Sequence, residues 1–166
     1  ERSSDLTGVF YAAADGSSIR EVLHPLEAPN GVGLSPQGDR LYVAETHTGR
    51  VYAWDVPSPG TAIGAGLLAP HGELLAGLPG LQLLDSLAVD GEGNVCVGTI
   101  GNGGVTVISP DGASVQHLPV DDLLLVLGTF ALVIGHAASY ERARAKMQVA
   151  ADAIGKTLVP VTTNQM

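Results

Sequence analysis

Asn30-Gly-Val-Gly-Leu-Ser-Pro-Gln-Gly-Asp-Arg-Leu-Tyr-Val-Ala-Glu45 lies over Asp85-Ser-Leu-Ala-Val-Asp-Gly-Glu-Gly-Asn-Val-Cys-Val-Gly-Thr99, with one gap at Arg40 keeping the two in register. The match continues from Thr46-His-Thr-Gly-Arg-Val-Tyr-Ala-Trp-Asp55 onto Ile100-Gly-Asn-Gly-Gly-Val-Thr-Val-Ile-Ser109, the copies being offset by 55 residues before the gap and 54 after it. A partial third copy stands at the start, where Gly8-Val-Phe-Tyr and Asp15-Gly16 match Gly104-Val-Thr-Val and Asp111-Gly112. Self-similarity at a fixed period marks a repeat architecture.

Each copy reads as strand, turn, strand, turn, strand. The first strand is Gly31–Leu34 or Ser86–Val89, the second Leu41–Ala44 or Val95–Gly98, the third Val51–Trp54 or Val105–Ile108. Between them lie Ser35-Pro-Gln-Gly or Asp90-Gly-Glu-Gly, then Thr48-Gly49 or Asn102-Gly103. These residues preset a turn or tolerate positive φ, and Asn-Gly is a strong hairpin signal. A fourth, outer strand comes after Asp111-Gly112 as Ser114–Leu118. Four antiparallel strands at this spacing predict a β-propeller blade, with a plain β-meander or sandwich as the alternative.

Working outward, the 166 residues carry 22 Gly, 10 Pro, 45% apolar and only 15% charged residues. That composition excludes a disordered or coiled-coil chain and suits a turn-rich β protein. The net charge of −9 disfavours nucleic acid as a partner. The charge is uneven: −11 over residues 1–122 and +2 over residues 123–166. One cysteine, Cys96, builds neither an internal disulfide nor a cysteine-rich zinc site. The apolar run Leu123–Gly135 falls short of the roughly 20 residues that span a bilayer, so no membrane is expected. The chain opens on Glu1 without an initiator Met, a start expected of a fragment. With no signal-peptide pattern and no disulfide framework, a cytoplasmic location is expected.

Ala28-Pro-Asn-Gly-Val-Gly-Leu-Ser-Pro with Leu41-Tyr-Val-Ala-Glu-Thr resembles the SMP-30/gluconolactonase/luciferin-regenerating-enzyme family. So do Asp85-Ser-Leu-Ala-Val-Asp, Gly101-Asn-Gly-Gly-Val-Thr-Val-Ile-Ser-Pro-Asp-Gly and His117-Leu-Pro-Val-Asp, and the resemblance covers roughly residues 5–122. It implies a six-bladed propeller with a divalent metal at the mouth of the central channel, and lactonase activity of the gluconolactonase and regucalcin-like kind. It also implies a metal held by a first-blade Glu, an Asn and an Asp. The Asn matches Asn30 and the Asp matches Asp85, here in Leu84-Asp85-Ser86 where members often have Pro-Asp-Gly. The first-blade Glu has no counterpart, and the Arg and Asn lining the family's substrate site come from blades absent here.

Asn30 and Asp85 hold the same repeat position and precede inner strands, so in a propeller both point to the axis. Their oxygens are hard donors that suit Ca²⁺ foremost, and also Mg²⁺, Mn²⁺ or Zn²⁺. A metal there polarises a lactone carbonyl and acidifies water, with Asp85 as the catalytic carboxylate that orients the water or takes its proton. The alternative is that Asn30 and Asp85 cap strand entrances through Asx turns. Glu45 either approaches the channel or bonds its own turn. Trp54 is expected to pack between blades and Cys96 to be a small core residue. No nucleophile elbow or phosphate loop is present.

The fold expected is therefore mainly β: a partial six-bladed propeller over residues 1–122, about two and a half blades of four-stranded antiparallel sheets. Residues 123–166 form a second segment, an apolar strand and an amphipathic helix over Ser139–Gly155. Open propeller edges invite self-association. The functional expectation is an incomplete metal-dependent hydrolase of sugar lactones or related esters, with a small lactone or sugar acid as ligand. The alternatives are a non-catalytic β-repeat binding or scaffold module and a truncated product without function.

Overall fold

The structure is a computed structural model, and it describes residues 6–64 and 72–120. The 123–166 segment with its expected helix lies outside the described residues. Eleven strands run in order: β1 (Leu6–Ala12), β2 (Ile19–Glu27), β3 (Pro29–Leu34), β4 (Arg40–Glu45), β5 (Arg50–Ser58), β6 (Thr61–Ile63), β7 (Glu73–Gly77), β8 (Leu84–Val89), β9 (Val95–Thr99), β10 (Gly104–Ile108) and β11 (Val115–Pro119). Among the described residues there is no helix, and so none long and apolar enough to cross a membrane.

All pairings are antiparallel and fall into three sheets. β1 and β2 form a two-stranded sheet, β3-β4-β5-β6 with β7 a five-stranded one, and β8-β9-β10-β11 a four-stranded one. The middle sheet departs from the four strands expected. β5 is long enough for two short partners, with β6 pairing through Asp55↔Ile63 and Ser58↔Thr61 and β7 through Arg50↔Gly77 to Ala53↔Glu73. No periodic signal in the sequence announces this split, because β6 is three residues long.

The gap at Arg40 is a difference in turn length. Leu34 pairs with Leu41 and Val89 with Val95, so the strands on either side stay equivalent. Each turn is closed by its first side chain. Ser35 Oγ accepts the backbone N–H groups of Asp39 and Arg40 at 3.1 and 3.0 Å. Asp90 Oδ1 accepts those of Glu92 and Asn94 at 2.9 and 2.8 Å.

Strand alternation gives the sheets two working faces. Tyr42, Ala44, Val51 and Ala53 of the middle sheet meet Leu84, Leu87, Val95, Val97 and Ile108 of the four-stranded sheet in one buried cluster. Leu41, Val43 and Trp54 point the other way and meet Leu26 of β2, with Val9 and Leu23 packed around them. Trp54 therefore packs between sheets, as expected. Cys96 does not join the core: it alternates with the sealed Val95 and Val97 and lies half-buried on the opposite face of β9. Arg40 braces the middle sheet from outside, ion-paired to Glu73 and stacked over the Tyr42 ring, 5.9 Å from its centroid.

Leu84 is fully buried between the two larger sheets, and Leu84→Ala is expected to cost about 2–5 kcal/mol in urea unfolding. Asp111 is fully exposed, and the Ser109 hydroxyl hydrogen bond, together with the Ala113 backbone N–H, holds its carboxyl below the ordinary range. Its contribution is thus present at neutral pH and lost as pH falls through that depressed value. Asp111→Asn should flatten the acid limb of stability slightly, read by urea unfolding across pH.

Candidate metal and lactone site

The site grows from the entrances of the two inner strands. Ala28 and Leu83, one in each copy, both have positive φ, 45° and 50°. Such a conformation strains a residue with a Cβ and is held only when the surroundings demand it. In each copy the carbonyl of that residue accepts a bond from beyond the second strand: Thr46 N–H to Ala28 at 3.0 Å and Ile100 N–H to Leu83 at 3.2 Å.

A bulge comes next in each copy. Register shifts between Pro29 and Val32 against β4, and between Leu84 and Leu87 against β9. A bulge re-aims the side chain it frees, here Asn30 and Asp85. The two meet: Asn30 Nδ2 donates to Asp85 Oδ1 at 2.9 Å. Among the described residues, Asn30 Oδ1 and Asp85 Oδ2 have no hydrogen-bond partner. Gly31 makes the approach feasible, since a Cβ there would come within 2.6 Å of both Leu87 Cβ and Leu87 N. Asn30 is exposed and Asp85 half-buried, and Asn30 also borders an open groove of about 210 Å³ walled by Phe10, Val32 and Val43.

Glu45 is buried, and its carboxylate is used within the frame. Oε1 accepts the Glu27 N–H at 2.8 Å and Oε2 the Thr48 hydroxyl at 2.7 Å, tying β2 to the β4–β5 turn. This is the turn-bonding role of the two readings. Gly101-Asn-Gly-Gly is the β9–β10 hairpin turn, closed by Gly103 N–H to Ile100 C=O at 3.3 Å. The sequence reading missed a buried polar group: His117 Nδ1 lies 3.1 Å from Thr106 Oγ1, and Thr99 Oγ1 donates to Gly104 C=O at 3.1 Å. Only cross-strand register brings these together, and no local motif marks it. Among the described residues, no group of three or more His, Cys, Asp or Glu side chains is placed to hold a metal.

The chemistry of the donor pair itself does fit a metal. An amide and a carboxylate from adjoining side chains each offer an oxygen of the hard kind that Ca²⁺ takes, six to eight in all.

Antiparallel sheets stacked face to face, the two larger ones each opening with a bulged inner strand, fit a propeller-type protein. The family model described as SMP-30/Gluconolactonase/LRE-like region matches residues 1–124. The chain belongs to the SMP-30/gluconolactonase/LRE-like family. It is 33% identical over 115 residues to lactonase drp35 of Staphylococcus saprophyticus, covering 67% of this chain and 33% of that protein. The solved gluconolactonase of Xanthomonas campestris superposes with a TM-score of 0.57 at 25% identity, over 73% of this chain and 37% of that one. The calcium-binding protein regucalcin of Agrobacterium tumefaciens gives 0.57 at 22% identity, over 68% and 36%, a likeness of fold. The chain spans about a third of the length of the curated relatives it matches.

The two strained or crowded positions give opposite expectations. Gly31→Ala should destabilise by about 1–3 kcal/mol, because the crowding atoms include backbone. Ala28→Gly should leave stability unchanged or raise it, by up to about 1 kcal/mol, since glycine adopts positive φ freely. Thermal and urea unfolding of the pair check both signs.

Proposed function

We propose that this chain carries part of the site of a metal-dependent lactonase, a hydrolase of sugar lactones or related esters. The observation that carries the reading is the apposition of Asn30 and Asp85, from equivalent positions of successive repeats, with one oxygen on each that has no hydrogen-bond partner among the described residues. The family membership and the lactonase and gluconolactonase relatives support the reaction class.

In this reading Asn30 Oδ1 and Asp85 Oδ2 hold a divalent cation, Ca²⁺ foremost, with Zn²⁺, Mg²⁺ and Mn²⁺ as competitors. When bound, such a cation polarises a lactone carbonyl and acidifies a water. The Asn30 amide keeps the Asp85 carboxylate oriented through its Nδ2 hydrogen bond. Asp85 takes up or directs the proton of the attacking water at its carboxylate. The groove beside Asn30 offers an apolar wall for the carbon skeleton of a small lactone.

The two larger sheets are successive blades of a six-bladed propeller, and β1–β2 is the outer half of the blade before them. In this reading the site is incomplete, because the two oxygens offered among the described residues leave most of a cation's shell to water. Residues 1–122 are then the propeller part and residues 123–166 a separate segment.

Calorimetric titration with Ca²⁺ should show weak binding, with Kd above about 10⁻⁴ M, and none in Asp85→Ala. Hydrolysis of a lactone such as gluconolactone is assayed with and without EDTA. EDTA-sensitive turnover supports the enzyme reading, and its absence rejects that reading for this chain. Tight stoichiometric Ca²⁺ binding abolished by Asp85→Ala overturns the incomplete-site reading.

A further inference from the structure

The stack of sheets inside the chain has a direction. The middle sheet meets its neighbour with Gly31, Gly33, Tyr42, Ala44, Val51 and Ala53, the last four sealed in the shared cluster and the two glycines closing on Leu87. The four-stranded sheet answers with a face of another kind, Leu87, Val95, Val97 and Ile108, joined by Thr106, which is 3% exposed. In the repeat, the counterparts of the first set are Ser86, Ala88, Cys96, Gly98, Val105 and Val107. They share the second face of the four-stranded sheet through the pairs Ala88↔Cys96, Cys96↔Val107 and Gly98↔Val105. Among the described residues, none of them belongs to either buried cluster and no sheet packs on this face.

The opposite end of the stack presents the answering kind. Val9 and Tyr11 of β1 turn toward the middle sheet, Val9 against the Trp54 cluster and Tyr11 at Gly60. Strand alternation sends Phe10 and Ala12 the other way, with Ile19 paired to Ala12 on the same side. In the repeat, Phe10 stands where Thr106 does and Ala12 where Ile108 does. Thr106 and Ile108 are sealed, whereas Phe10 is 56% and Ile19 72% exposed. Glu21, paired with Phe10, puts a charge on this face, and Gln116, paired with Val107, puts an amide donor on the other. One uncovered face of each kind thus stands at the two ends, and the contact that joins such faces is the one already made inside the chain.

We propose that the chain associates head to tail, with the Val105–Val107 side of the four-stranded sheet in one copy seated on the Phe10 and Ile19 face of the next. A second copy is the occupant because it carries the complementary face, and seating it adds one more layer to a stack the chain has already built from three sheets. β1–β2 offers only two strands, so the contact is small and association rises with protein concentration. Such a contact is heterologous: the two partners use different faces, and copies added in this way close into a ring or continue. It needs neither a metal nor Asp85, so its loss leaves the lactonase reading standing.

Sedimentation of the full chain over a range of protein concentration, with EDTA present, tests this beside F10R on one face and V107R on the other. The parent should grow beyond a monomer as concentration rises. Each variant alone should associate about a hundredfold more weakly, because the contact then has to bury an unpaired guanidinium. An equimolar mixture of the two variants should form a dimer and nothing larger, since F10R keeps one sound face and V107R keeps the other. Where circular dichroism or the emission of Trp54, the chain's single tryptophan, shows that a variant is not folded like the parent, I19R replaces F10R and V105R replaces V107R. A parent that stays monomeric at every concentration overturns the proposal. So does a folded variant that associates as the parent does, or a mixture that stays monomeric where the parent associates.

Discussion

The close approach of β3 to β8 is the constraint on which the rest depends. Two sheets normally stack about 10 Å apart, with side chains filling the space between. At the inner strands this spacing narrows, because Gly31 and Gly33 present no side chain and Leu87 fills their place. That contact seals the cluster of Tyr42, Val51, Leu84, Val95, Val97 and Ile108. It also brings Asn30 within hydrogen-bond reach of Asp85. Core and candidate site are thus set by the same missing Cβ atoms.

The strand framework was legible because it is written twice. Aligning Asn30–Glu45 with Asp85–Thr99 places β3, β4, β8 and β9 to within a residue or two, and the gap at Arg40 proves to be a longer turn. The pairing of Asn30 with Asp85 as repeat-equivalent positions was legible for the same reason. Other features were not. The positive φ at Ala28 and Leu83 falls on residues that carry no glycine signal, so the sequence does not betray it. The bulges after Pro29 and Leu84 depend on pairing with a neighbouring strand, which a linear pattern does not contain. Cys96 sits among valines, yet alternation puts it on the face away from the core. β6, the extra strand of the middle sheet, is too short to leave a period.

Glu45 and Asp85 show how placement decides a carboxylate's role. Both stand near the same end of their sheets. Glu45 is buried, and both oxygens are engaged by the Glu27 N–H and the Thr48 hydroxyl. Asp85 is half-buried, with one oxygen engaged by Asn30. The first is a tie between β2 and the β4–β5 turn, and the second keeps capacity for a ligand. Residue type alone does not separate them, whereas the count of satisfied oxygens does.

The recurrence of the bulge at the same point of both copies has a consequence for how such a protein changes over time. Since the irregularity belongs to the repeat unit, duplicating the unit duplicates a polar side chain at the bulge along with the strands that carry it. One codon per unit then selects a neutral amide, as at residue 30, or an anion, as at residue 85. The electrostatic character of the place where Asn30 and Asp85 meet becomes adjustable in single steps, with the surrounding apolar packing left untouched.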